Sequence, residues 1–303
     1  RRAGPRGRRS QGRALRVKIV RRPAAMRALV RDARRRGKTV GFVPTMGALH
    51  DGHLSLVRRA RRDHDRVVVS VFVNPLQFGP REDYRRYPRD HRLDARLCRA
   101  AGCDWFFLPT ARAVYPERFQ TFVVAGPLAA RWEGAVRPGH FGGVLTVVLK
   151  LLNMVEPDTL YLGQKDAQQA AVVGAMMRDL DLPARLAVAP IVRERDGLAM
   201  SSRNAYLGPE DRVRAAGFPR ALAAAAALAR GGARDARRLE REVKRVLRLE
   251  TKPDAIDYVA LVDPRTLLPV ARLNRRALLL AAIRVGRTRL LDNRFLTPSR
   301  GKR

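Results

Sequence analysis

The sequence predicts an α/β protein, a doubly wound parallel sheet followed by a second, smaller α+β domain. Three observations carry this reading. Short β-branched runs alternate with helical stretches up to about Ile191, and the connections between them are brief. Some of these runs, Val67–Val73 above all, are apolar almost without a break, as strands covered on both faces must be. Past Ile191 the pattern changes to two long helices and then three strands, which reads as a separate unit.

In chain order, residues 1–16 are Arg-rich and read as a disordered basic arm. From Pro23 to Arg36, Met26, Leu29, Val30 and Ala33 recur at helical spacing, and Gly37 supplies a stop. Thr39–Val43 reads as a buried strand, Pro44–Gly47 as a turn, and Leu49–Arg62 as a helix with Leu54, Leu56 and Val57 inward. After the strand Val67–Val73 come a helix over Asp90–Ala101, ended by Gly102, and a strand at Trp105–Leu108. Glu133–Gly143, with Arg137, His140 and paired glycines, reads as a mobile polar loop before an apolar helix over Val144–Val155. Thr159–Leu162 is a strand, Ala167–Leu180 a helix and Arg185–Pro190 a strand. The second unit then reads as helices at Arg212–Arg230 and Asp235–Leu249, with strands at Ile256–Val262, Ala277–Val285 and Thr288–Leu291. The expected division is therefore 1–16, 17–191 and 192–303. In a doubly wound sheet ligands bind at the carboxyl ends of strands, so the loops after Val43, Val73 and Leu162 should converge.

Composition excludes some classes. No apolar run approaches the roughly 18 residues that span a bilayer, so no membrane partner is expected. The first 22 residues are basic but lack the apolar core of a secretory signal, and their Gly and Pro oppose an amphipathic transit helix. Cys98 and Cys103 are too few for a disulfide framework or a zinc site and suit reduced thiols in the cytoplasm. The net charge of +34 suggests polyanion binding. However, Arg is spread along the whole chain, and abundant Ala, Gly and Pro point to coding bias, so nucleic acid is not expected as a partner. Against that background the rare lysines stand out, since a compact ammonium makes point contacts to phosphate that a broad guanidinium makes less well.

Four segments carry candidate chemistry. In Pro44–His53 a strand feeds a Gly-containing turn and a helix that carries His50 and His53 on one face. The free N–H groups and partial positive charge of a helix N-terminus accept phosphate. Gly52 would let a nucleotide approach the backbone. Two ordinary exposed histidines, or a zinc pair, are the alternatives, but helical zinc pairs favour i, i+4 spacing with an intervening Glu. In Val71–Phe78, Asn74 and Gln77 offer uncharged amides for a carboxylate or hydroxyls, while Phe72, Leu76 and Phe78 could wall an apolar pocket. In Gly163–Gln169, Lys165 could neutralise phosphate and Asp166 could hold Mg²⁺ or a ribose, or simply cap the helix. In Leu198–Asn204, Ser201, Ser202 and Arg203 suit a triphosphate tail on a loop that could close.

Taken in order, Val43–His50, Phe72–Phe78, Gly163–Gln169 and Met200–Asn204 resemble the motif set of the pantothenate synthetases, from about Lys18 to Asn293. Their superfamily, the nucleotidylyltransferases, carries a His-x-Gly-His signature, here His50-Asp51-Gly52-His53. The resemblance implies a Rossmann-like first domain binding nucleotide and pantoate, with a C-terminal lid. It implies an ATP-dependent ligase in which pantoate carboxylate attacks the α-phosphate, and β-alanine then displaces AMP from pantoyl adenylate. It further implies that His50, His53, Lys165, Ser201, Ser202 and Arg203 stabilise the phosphates. Thr45, Met46, Phe72, Asn74, Gln77, His140 and Gln169 would serve pantoate or β-alanine. Pro44, Gly47, Gly52, Gly163, Asp166, Val192 and Met200 would complete the ATP site, with Tyr87, Glu133 and Arg137 in support. Mg²⁺ accompanying ATP, no metal held by the protein alone, and a homodimer are also implied. Ala167 departs from the family pattern, where an aromatic is frequent, and this should alter packing more than chemistry. A nucleotidyltransferase for another small acid and a nucleic-acid binder are the competing readings; the Asn74 and Gln77 amides beside an apolar wall favour pantoate over a phosphorylated substrate.

Overall fold

The computed structural model describes residues 17–80 and 82–299, so the basic arm expected at 1–16 lies outside the described residues. The chain runs β1 (Lys18–Val20), α1 (Pro23–Arg35), β2 (Val40–Thr45), α2 (Asp51–Asp63), β3 (Arg66–Val71), α3 (His91–Ala101) and β4 (Trp105–Phe107). Short helices α4 (Ala111–Val114) and α5 (Glu133–Val136) precede α6 (His140–Val155), β5 (Thr159–Gly163), α7 (Ala167–Asp179) and β6 (Arg185–Ala189). The remainder is α8 (Pro209–Ala215), α9 (Gly217–Arg230), α10 (Ala236–Val246), β7 (Ala255–Val262), β8 (Ala277–Val285) and β9 (Thr288–Leu296).

The first six strands form one parallel sheet in the order β1-β4-β3-β2-β5-β6. Strand order reverses between β2 and β5, and a crevice opens there at the carboxyl ends. Val40, Phe42, Val67, Val68 and Val69 are fully buried, because helices cover both faces of the sheet. On one face α1, α6 and α7 pack through Met26, Val30, Val148, Leu152 and Val173. On the other, α2 and α3 pack through Val57, Ala60, Ala95 and Cys98. The second sheet is antiparallel, β7-β8-β9, with α9 and α10 on one face. Its other face carries Ala260, Val262, Leu278 and Leu280, which meet Leu128, Trp132, Ala167 and Ala171 of the larger sheet unit. The small Ala167 side chain is thus part of this seam.

Several local expectations differ. β1 has no counterpart in the sequence reading; it is a three-residue edge strand with Lys18 and Ile19 exposed, too short to show a period. β2 continues through Pro44 and Thr45, where a turn is expected. Alternate residues of β2 face β5, whose pairing stops at Phe42, so the N–H that Pro44 lacks would have met no strand. α6 starts at His140, so the paired glycines form its first turn instead of a mobile loop. A side chain at Gly143 would lie 2.2 Å from the Leu76 carbonyl oxygen, and that close approach is what the glycine permits. The helix expected over Arg212–Arg230 is two helices, since Pro219 has no N–H to continue the ladder. α10 ends in a wider turn over Leu247–Thr251, and β9 runs on to Leu296.

Between β2 and α2 the chain passes through two left-handed residues, Gly47 (φ 88°) and Ala48 (φ 51°). Asp94 of α3, 1% exposed, holds this turn by accepting the N–H groups of Ala48 (3.2 Å) and Leu49 (2.9 Å). Asp94→Ala leaves two buried donors without a partner, each costing about 1–3 kcal/mol. We expect a loss of at least about 2 kcal/mol in urea unfolding; an unchanged midpoint would show that the turn holds itself.

Candidate active site

The turn delivers His50 as the N-cap of α2 and His53 to its first turn. His50 Nδ1 accepts the Gly52 N–H at 3.1 Å, and His53 Nδ1 accepts the His50 N–H at 3.4 Å. An imidazole nitrogen that accepts from a backbone N–H carries no proton of its own. Each neutral ring therefore bears its hydrogen on Nε2, free to donate. Burial, and next the Lys165 ammonium, push the His50 imidazole down to about 4. Burial, and next His50 itself, push His53 down to about 3. The rings, 4.1 Å apart, thus form a pair of neutral donors at a helix N-terminus. Gly52 has a reason beyond ligand approach: a Cβ there would sit 2.8 Å from the His50 ring.

Both histidines line a cavity at the β2–β5 reversal, and the three loops expected to converge do so. From β2 come Pro44, Thr45 and Met46; from the turn after β3, Gln77; from the turn between β5 and α7, Gly163, Lys165 and Asp166. Lys165 Nζ lies 3.3 Å from Asp166 Oδ1. Burial works to raise the Asp166 carboxyl, but the Lys165 ammonium, its hydrogen bond and the Arg203 charge together hold the group below the usual carboxylate range. The Asp166 side chain makes no helix-capping hydrogen bond. Gln169 lines the cavity beside Phe72 and one face of α6.

Val192 and the loop Met200–Arg203 close the opposite wall. Ser201 Oγ accepts the Arg203 N–H (3.2 Å), and Ser202 shares a hydrogen bond with Tyr87 (3.0 Å). Arg203 makes a bidentate pair with Asp83, at 3.0 and 2.9 Å.

Two expected residues stand off the cavity. Gly47 shapes the turn but does not line it. Asn74, expected to receive β-alanine, is buried behind the wall with its amide fully engaged. Its Nδ2 donates to Gln77 Oε1 (3.0 Å) and the Gly143 carbonyl (3.1 Å), and its Oδ1 accepts from Tyr115 (2.8 Å) and the Leu76 N–H (3.3 Å). It orients Gln77, and in this arrangement all four hydrogen-bonding positions of its amide are filled. His140 lines the cavity but is also committed. Its Nε2 accepts from Arg137 (3.0 Å), so the neutral ring carries its hydrogen on Nδ1, which donates to the Gln77 carbonyl (2.9 Å). Burial, then Arg137, push this imidazole down to about 4. The apolar wall comes from Phe72 and Val144, Val147, Val148 and Leu151 of α6; Leu76 is partly exposed and Phe78 packs on Tyr84 and Tyr87.

Sequence reasoning missed Asn293 on β9. Its Nδ2 donates to the carbonyls of Gln164 (2.8 Å) and Lys165 (3.0 Å), so the small sheet fixes the lysine loop. No motif marks it; a buried Asp-Asn pair inside a strand is its only signal.

A glycine turn, two neutral donors at a helix N-terminus, a lysine and a Ser-Ser-Arg loop around a strand-order reversal define an α/β enzyme that handles a nucleoside phosphate. The family model for pantoate-beta-alanine ligase matches residues 18–295. A pantothenate synthetase of Heliobacterium modesticaldum is 53% identical over 88% of this chain and 95% of its own length. One from Geobacter sulfurreducens is 50% identical over 91% and 98%. The crystal structure of pantothenate synthetase from Thermus thermophilus superposes with a TM-score of 0.88 at 48% identity, covering 93% of this chain and 100% of that one. The Francisella tularensis pantoate-beta-alanine ligase, solved with β-γ ATP and β-alanine, gives 0.76 at 31% identity, over 92% and 97%. The chain belongs to the pantoate–β-alanine ligase family. Its activity is the ATP-dependent condensation of pantoate with β-alanine through pantoyl adenylate, with release of AMP and pyrophosphate.

The depressed imidazoles set a pH dependence. His50, His53 and His140 stay neutral in the folded chain down to about 4, 3 and 4, whereas unfolded histidine protonates near 6.5. Below 6.5 the unfolded chain binds the extra protons, so these groups lower stability progressively as pH falls toward 4. We expect histidine NMR signals of all three to titrate at or below about 4. A midpoint near 6.5 for His50 or His53 would contradict the neutral-donor assignment.

Proposed function

We propose that the cavity holds ATP with its phosphates over the N-terminus of α2 and pantoate against α6. The observation that carries this reading is the pair of Nε2–H donors of His50 and His53 facing the same cavity as Lys165. Neutral donors and one ammonium suit a phosphoryl group whose charge rises during attack. Ser201, Ser202 and Arg203 bind the β- and γ-phosphates or the departing pyrophosphate; the Arg203 guanidinium exchanges Asp83 for phosphate as it does so. Gly163, Asp166, Val192, Met200 and the Pro44–Met46 strand end surround the nucleoside.

Pantoate lies between Phe72 and the α6 wall, with Gln77 and Gln169 on its polar groups. Asn74 occupies the Gln77 carbonyl oxygen, which leaves the Gln77 NH₂, now 3.1 Å from Met46 Sδ, to donate. A pantoate carboxylate oxygen attacks the α-phosphorus, and pyrophosphate leaves. The β-alanine amine then attacks the acyl carbon and AMP departs with that oxygen. Both steps need alignment and charge stabilisation more than a protein nucleophile.

The donor set fits a Mg²⁺ that arrives with the nucleotide. Such an ion keeps water and phosphate oxygens and needs only one or two carboxylates, and Asp166 has a partly exposed carboxylate beside Lys165. Mg²⁺ would neutralise phosphate charge there. We further assign residues 17–191 to substrate binding and 192–303 to a lid, and we place the enzyme in the cytoplasm as a homodimer. The free, buried Cys98 and Cys103 and the family likeness support these last assignments.

Lys165→Ala should lower pantoate-dependent pyrophosphate release from Mg-ATP roughly a hundredfold, as for loss of one charge-stabilising donor. A rate near that of the unaltered enzyme would remove Lys165 from the phosphate site, and release that needs no pantoate would overturn the substrate assignment.

A further inference from the structure

We propose that Glu133 is a positioning residue that couples docking of the small sheet to the pantoate side of the cavity, by competing for Arg137. This rests on the reading that pantoate lies beside Gln77.

The segment before α6 crosses the seam between the two sheets under constraint. Trp132 has φ 51°, unfavourable for a bulky side chain, and its Nε1 donates at 2.9 Å to the carbonyl of Leu267, itself at φ 54°. Its ring packs on Tyr258 of β7, 5.8 Å between centroids. On the other side Gln168 of α7 accepts the Glu133 N–H (3.0 Å) and donates to the carbonyls of Leu128 and Arg131 (3.1 and 2.9 Å). A Cβ on Gly134 would fall 1.6 Å from the Ala129 carbonyl oxygen, so the backbone has no slack.

This frame buries Glu133 to 6% exposure and gives its carboxylate partners from the small sheet. Tyr258 donates to Oε2 (3.1 Å) and Arg289 of β9 to Oε1 (2.5 Å). Arg137, one helical turn on, stands 3.7 Å from the same Oε1 but spends its donors elsewhere. It bonds His140 Nε2 (3.0 Å), the Gln77 carbonyl (3.2 Å) and both oxygens of Glu82. Arg137 and His140 together therefore fix the backbone of Gln77.

A buried carboxylate that loses its partners draws in the nearest cation. When the small sheet moves off, Glu133 loses Tyr258 and Arg289, and Arg137 is the cation within reach. Turning to Glu133 takes it from His140 and from the Gln77 carbonyl, and so loosens the backbone that carries the pantoate amide. Docking does the reverse, with Arg289 satisfying Glu133 and Arg137 staying on the pocket.

The test is Arg289→Gln, a position that does not line the cavity. The expected result is a rise of roughly tenfold in the pantoate KM, typical of coupling through a shared network, with the ATP KM changed much less. Adding Glu133→Gln removes the competing charge, so the double variant should recover most of the pantoate KM lost by Arg289→Gln alone. Additive losses, or an unchanged pantoate KM in Arg289→Gln, would overturn the proposal. If Arg289→Gln does not fold, Tyr258→Phe replaces it and must show the same rescue by Glu133→Gln. Gln77→Ala is the control. If it leaves the pantoate KM unchanged, the placement of pantoate is at fault; if it raises that KM and no rescue is seen, only the coupling fails.

Discussion

The site depends on one constraint: the chain must leave the end of β2 and enter α2 through two consecutive left-handed residues, Gly47 and Ala48. Asp94 makes that conformation tenable by accepting both N–H groups that follow, and the buried carboxylate has no other hydrogen-bond donor among the described residues. Burial raises the Asp94 carboxyl in spite of the Leu49 and Ala48 N–H groups, so the anchor is itself held against a desolvation cost. From this turn His50 becomes the N-cap, His53 closes a reciprocal capping box, and both Nε2 hydrogens are left unspent. Backbone geometry thereby determines tautomer, and the tautomer gives the site two hydrogen-bond donors.

Charge is used sparingly around the cavity of a chain carrying +34 overall. The nearby arginines already have carboxylate partners, Arg203 with Asp83 and Arg137 with Glu82, and the histidines are neutral. Lys165, paired among the described residues only with a partly exposed Asp166, is the ammonium of the proposed phosphate site. Exposed helical ion pairs such as Arg35–Asp32 and Arg245–Glu242 add little. Asn293 ties the small sheet to the loop that carries Lys165, and Glu133 ties it to the segment before α6, so both halves of the chain define one site.

Much of this was legible in the sequence. Amphipathic helices such as α1 and α2 and doubly covered strands such as β3 follow from periodicity and apolar runs, because burial there is continuous. The His50-Asp51-Gly52-His53 turn and Lys165 were readable because a strand end followed by glycine and a helix start is a local pattern. Tertiary effects were not. The glycines opening α6 suggest a loop until Leu76 is seen packed against Gly143. Asn74 looks like a ligand group until Tyr115 and Gly143 consume its amide. Asn293 lies 129 positions from Gln164, and no spacing rule joins them.

The most direct test is a crystal structure of the chain with Mg²⁺ and a non-hydrolysable ATP analogue. The account predicts phosphate oxygens within hydrogen-bond distance, about 3 Å, of His50 Nε2, His53 Nε2 and Lys165 Nζ, with Arg203 released from Asp83. A triphosphate bound away from the N-terminus of α2, with Arg203 still on Asp83, would contradict it.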